Sequence, residues 1–176
     1  MKSIFLFLTF SLLISCESKP TLQKYFVENI ENKNFIALDV SPSILNLDQV
    51  QLTAEQKTAL QSFDKMNVLA FKINDQNKAQ FEIEKAKVNT ILKDEQYQQL
   101  MKFSSGKEGA SVSFVGDDEH IDEFVLYANR KDSGFAVIRI LGKDMNPTGI
   151  MSMLSVLKTS NIDMEQLKPL QQLLSK

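Results

Sequence analysis

Between Ala110 and Leu141 the chain alternates apolar and polar residues in three segments, Ala110–Val115, Ile121–Asn129 and Phe135–Leu141. Gly116-Asp117-Asp118-Glu119-His120 and Arg130-Lys131-Asp132-Ser133-Gly134 separate them. Parallel strands need a crossover of about a dozen residues or more, so separators this short permit only an antiparallel meander. A strand turns successive side chains to opposite faces. Val112, Phe114, Phe124, Leu126, Ala136, Ile138 and Ile140 therefore share one face, and Val125, Tyr127, Val137 and Arg139 share the other. The first face is expected to meet helices; the second is expected either to look outward as a partly apolar surface or to be covered by the chain's own N-terminal helix. If Asn129 pairs with Phe135, Arg139 stands opposite Val125 and diagonal to both Glu123 and Tyr127, within reach of either.

Upstream, Leu22–Asn32 reads as a short helix and Phe35–Val40 as a strand, closed by Ser41-Pro42 because the residue before proline favours extended geometry. Thr53 and Gln56 form a capping box that predicts a helix over 54–66. Val68–Asn74 alternates as a strand, and Lys78–Leu92 carries helical spacing. From Asp94 the pattern of Tyr97, Leu100, Met101 and Phe103 predicts either a second helix or the continuation of a bent one. Asn146-Pro147 opens a helix with Ile150, Leu154 and Leu157 on one stripe to about Lys158. An amphipathic segment then runs from Asp163 towards Leu174, interrupted at Pro169. With 176 residues, 43% of them hydrophobic, one core is affordable, so residues 22–176 are read as a single domain. The order of elements predicts an α+β two-layer sandwich: a mostly antiparallel sheet with a C-terminal three-strand meander and helices packed on one face.

The N-terminus has a different character. Lys2 precedes an apolar run, Ile4–Ile14, which would make a helix about 16 Å long against a hydrocarbon core of about 30 Å. That is the architecture of a secretory signal and too short for a permanent span. Leu13, Ile14 and Ser15 lead into Cys16, the chain's one cysteine, and this segment resembles the lipobox of bacterial lipoproteins. The resemblance implies that residues 1–15 are a signal peptide, that the Cys16 thiol is alkylated by diacylglycerol, and that 16–21 form a lipidated tether. Several acyl chains anchor a soluble domain almost irreversibly, at about 0.8 kcal/mol per buried CH₂. Glu17, standing where the sorting rule of such lipoproteins places Asp for inner-membrane retention, points to the outer membrane of a Gram-negative envelope.

A formal net charge of -2 supplies no field to gather nucleic acid. Asp117, Asp118, Glu119, His120, Asp122 and Glu123 are the densest ionisable cluster. An EF-hand loop needs glycine at its sixth position and glutamate at its twelfth, and neither stands at that offset here, so the segment reads as a solvated turn and no metal site is expected. Ser104-Ser105-Gly106-Lys107 resembles a phosphate loop only superficially, because Met101 and Glu108 stand where a P-loop needs Gly and Ser or Thr. Met145, Met151 and Met153 read as core rather than as a Cu(I) site. No catalytic motif and no cofactor signature emerges, since one His would have to serve every triad.

Taken together, Cys16 at the lipobox, Leu52-Thr53 opening a capped helix, the strand Val68–Asn74, and the tail from Phe124-Val125-Leu126 through Ile138-Arg139-Ile140-Leu141-Gly142-Lys143 to the helix at Ile150 are similar to the bacterial lipoproteins of domain of unknown function 4252. The resemblance spans roughly residues 22 to 160 and implies an envelope lipoprotein, with no catalytic residue to carry over. The expected function is that of a lipid-anchored, non-enzymatic binding or adaptor module. Its partners are the membrane, through lipid on Cys16, and an envelope protein received on the face of Val125, Tyr127, Val137 and Arg139. The alternative is a metal-dependent hydrolase or divalent-ion binding protein using the acidic turn 117–123.

Overall fold

The structure, a computed structural model, describes residues 19–46, 51–118, 120–152 and 161–162. In chain order these form α1 (Leu22–Asn29), β1 (Phe35–Val40), a 3₁₀ turn (Pro42–Ile44), β2 (Leu45–Asn46), α2 (Ala54–Gln61), β3 (Phe63–Lys72), α3 (Lys78–Ile91), β4 (Gln98–Ser105), β5 (Glu108–Gly116), β6 (Ile121–Arg130), β7 (Gly134–Met145) and β8 (Asn161–Ile162). Residues 147–152 are helical. Six strands make one antiparallel sheet in the order β1-β3-β7-β6-β5-β4, and β2 pairs separately with β8. The architecture is the α+β sandwich expected from the order of elements. Readings that fall on 1–18, including the signal segment and Cys16, lie outside the described residues, as do the helix beyond Ser152 and the segment 163–174.

The meander forms with the anticipated register: Asn129 pairs with Phe135 and Val125 with Arg139. It is one strand longer than its sequence pattern suggested, because Gln98–Ser105 is strand β4 and not helix. Gly106, at φ 39°, closes a tight hairpin that pairs Ser105 with Glu108 and Lys102 with Ser111. β4 is exposed along its whole length, so burial imposes no period on its apolar residues, and the helical spacing of Leu100, Met101 and Phe103 is incidental. The helix read over 54–66 stops at Gln61. Its capping box is present as expected, but the Ser62 hydroxyl turns back to the Ala59 carbonyl at 2.9 Å, and the Ser62 carbonyl accepts the Lys143 N–H at 2.8 Å. From that point the backbone is committed to β7, and the strand read from Val68 begins at Phe63 and ends at Lys72.

Both sheet faces carry apolar clusters. On one, Leu22 and Tyr25 of α1 and Phe81, Val88 and Ile91 of α3 pack over Leu69, Phe71, Val125, Tyr127, Phe135 and Val137. Phe71 and Phe135 stack with centroids 5.6 Å apart, and Phe35 meets Phe71 edge-on at 5.2 Å. On the other, Phe114, Phe124 and Ile140 join Phe63, Ile121, Met145 and Ile150, with Leu60 of α2 packed against them. The N-terminal helix α1, together with α3, therefore covers the face of Val125, Tyr127, Val137 and Arg139, the second of the two arrangements expected for it. Strands apolar at both parities are built to be covered on both sides, and periodicity alone does not say which side the helices take.

Candidate functional site

Val125, Tyr127, Val137 and Arg139, the candidate interaction face, are 1%, 5%, 0% and 4% exposed, so they form the floor beneath α1 and α3 and not a surface for a partner. Arg139 acts there as a staple. Its Nε and Nη2 donate to the two Glu123 carboxylate oxygens at 2.6 and 2.9 Å, and its Nη1 donates to Gln23 Oε1 of α1 at 2.6 Å. The Phe26 ring lies 5.4 Å from the guanidinium. Of the two carboxyl and phenol neighbours within reach in the sequence, Glu123 takes the arginine.

A second interior network ties α1 to α3. Buried Glu84 accepts the Tyr25 hydroxyl at 2.9 Å, Gln80 Nε2 at 2.6 Å and Lys87 Nζ at 2.8 Å. Burial, reinforced by Glu84, pushes the Tyr25 phenol far up. The Tyr97 oxygen accepts the Leu22 N–H at 3.2 Å, satisfying one of the free donors at the start of α1, and burial raises that phenol too. These groups are consumed in holding the helices to the sheet.

The acidic turn folds back on itself. Asp117 Oδ1 accepts the His120 N–H at 2.9 Å, His120 Nδ1 lies 3.0 Å from Asp144 Oδ1 in an exposed pair, and Glu123 is bound to Arg139. Among the described residues no three His, Cys, Asp or Glu side chains are grouped so as to hold a metal ion.

The opening lies elsewhere, where the sheet extends past the helix layer. On the helix side of the sheet β5 presents Gly109, Ser111 and Ser113, a small and polar row next to the apolar row of β6. Ser111 pairs with Tyr127 on one side and Lys102 on the other. α3 forms the opposite wall with Lys85 and Asn89, Lys93 follows just beyond its end, and the cleft measures about 270 Å³. Two buried donors face it. Ser113 is 4% exposed, and among the described residues its hydroxyl has no hydrogen-bond partner. The Tyr127 oxygen receives Asn89 Nδ2 at 3.5 Å, while the phenol proton has no acceptor among the described residues. Burial pushes that phenol up to about 12, against the opposing pull of the Asn89 and Asn129 amides, so it stays a proton donor at neutral pH.

Lys85, Lys93, Lys102, Lys107 and Lys131 line this cleft, and its one carboxylate, Glu108, is held by Arg130 at 2.8 Å. Sequence reading did not single out this cleft. The Gly-Ser-Ser parity of β5 was the available signal, whereas the five lysines come from five separate elements and connections. Ser104, Gly106 and Lys107, which fail the P-loop pattern, sit at its mouth.

No curated protein and no solved structure matches the chain. The family described as Domain of unknown function (DUF4252) matches residues 25–153, which include the whole six-stranded sheet, α3 and the cleft. The match covers well over half of the chain, and the chain belongs to the DUF4252 family.

Proposed function

We propose that this chain is a lipid-anchored protein of the cell envelope, at the outer membrane, whose domain binds a small ligand in the cleft between α3 and strands β4 and β5 without catalysing a reaction. The observation that carries the binding reading is the pair of buried donors, Ser113 and Tyr127, facing an open cleft without acceptors among the described residues. An unsatisfied buried polar group costs about 1–3 kcal/mol, and a ligand that accepts from it recovers that cost. Cys16 supports the anchor. Residues 17–21 reach at most about 18 Å when extended, and α1 begins directly after them with Thr21 as its N-cap. Lys19 lies 3.6 Å from Asp94, so the end of the tether rests against the domain. Among the described residues no helix is long and apolar enough to cross a membrane.

One experiment addresses both halves. The protein and its Cys16→Ser variant are fractionated from cells, and the membrane-purified protein is examined by native mass spectrometry beside a Ser111→Phe variant that fills the cleft floor. Cys16→Ser is expected in the soluble fraction, and a non-covalent adduct is expected on the parent but not on Ser111→Phe. Retention of Cys16→Ser in the membrane pellet overturns the anchor; an adduct indifferent to Ser111→Phe, or none at all, overturns the cleft.

A further inference from the structure

Resting on the binding reading above, we infer that the cleft is a site for a phosphate-bearing anion, either a small soluble phosphate ester or a phosphate headgroup. Charge is the first argument. The chain is net negative, yet five lysines line this one cleft, and its only carboxylate is engaged by Arg130. Among the described residues Lys93, Lys102, Lys107 and Lys131 have no ion-pair partner, and Lys85 pairs with the exposed Glu82 at 3.8 Å while its ammonium lies 5.4 Å from the Phe81 ring centroid.

The kind of cation is the second argument. A planar carboxylate is matched by the guanidinium fork, and both arginines of the chain are occupied, Arg139 by Glu123 and Arg130 by Glu108. Lysines act as point charges with three rotatable donors each, which suits an oxyanion approached from several directions. Ser113 and Tyr127 add neutral donors from the floor, and Leu92 offers apolar wall to a carbon skeleton. A cleft of about 270 Å³ lies just below the range of drug-sized ligand sites, about 300 to 1,000 Å³, and so suits only a compact ester or a headgroup.

The full-length protein in non-ionic detergent is titrated with pyrophosphate and with glycerol phosphate, followed by calorimetry and by tyrosine fluorescence, which is available because the chain has no Trp. Saturable one-to-one binding is expected, weakened about tenfold or more in the double variant Lys102→Ala/Lys107→Ala. These side chains are exposed, so the fold is retained. Lys57→Ala/Lys65→Ala, two exposed lysines that do not line the cleft, is the control and is expected to bind as the parent does. No saturable binding, or equal loss in both double variants, overturns the inference. Flotation with phosphatidylglycerol vesicles but not with phosphatidylcholine vesicles, lost in Lys102→Ala/Lys107→Ala of the Cys16→Ser protein, assigns the headgroup; soluble esters bound without such flotation assign the free ester. A native adduct that disappears in Ser111→Phe while neither phosphate probe binds would leave the cleft as a ligand site and remove only the anion.

Discussion

Arg139 carries a charge into a place where it is 4% exposed, and it remains there only because Glu123, Gln23 and Phe26 surround it. Removing one partner of such a pair leaves the other charge buried and uncompensated, at about 3–5 kcal/mol. Arg139→Ala is therefore expected to lower unfolding stability by that amount, and urea unfolding of Arg139→Ala beside Glu123→Gln measures it; a loss within the range of surface substitutions would remove the staple role. Burial shifts the Tyr127 phenol upward, the opposite direction to a carboxylate held by a cation. The phenol's folded value, about 12, lies above the ordinary phenol value of 10.0, so between those limits the unfolded chain has given up a proton that the folded chain keeps. The stabilising contribution is complete below about pH 10 and is lost as pH rises towards 12. Tyr127→Phe should flatten this alkaline decline in urea midpoints without abolishing it, because the Tyr25 phenol is pushed up as well. At this scale the register was legible: Arg139 opposite Val125 and diagonal to Glu123 follows from counting residues back from a short turn. The burial of Arg139 was not, since counting along two strands gives no information about what lies above them.

At the scale of elements, what could be read locally was read correctly and what depended on a neighbour was not. The Thr53–Gln56 capping box closes as its spacing requires, with reciprocal bonds of 2.9 and 3.2 Å. The helix it starts nevertheless ends at Gln61, because Phe63 is needed in the sheet, where it pairs with Gly142 of β7. β4 shows the converse case. Its identity as a strand comes from the hairpin at Gly106 and from pairing with β5, not from its own pattern. The β6–β7 hairpin has its own strict requirement at Gly134, which sits at φ 128° with its missing Cβ aimed at the Phe71 carbonyl. Gly134→Ala must strain the backbone and push β3 away from β7, so a loss of about 3 kcal/mol is expected in thermal or urea unfolding. A variant as stable as the parent would show that β3 yields at that point.

For the whole molecule, the helix layer covers the inner strands of the sheet and leaves β4 and the helix side of β5 beyond it, and that offset creates the cleft. Its lining draws on α3, the β4–β5 hairpin, β6 and the turn after β6, so no single stretch of chain announces it. By itself the sequence determined the α+β class, the antiparallel meander and its register, because two-residue alternation and short turns are local constraints that hold wherever the segment is placed. It determined the capped start of α2 for the same reason. Only the tertiary structure decided which face of the sheet the helices take, where α2 yields to β3, and which lysines and hydroxyls converge on one cleft. Those outcomes depend on contacts between segments far apart in the chain, and a strand that is apolar at both parities can satisfy either arrangement until its neighbours pack against it.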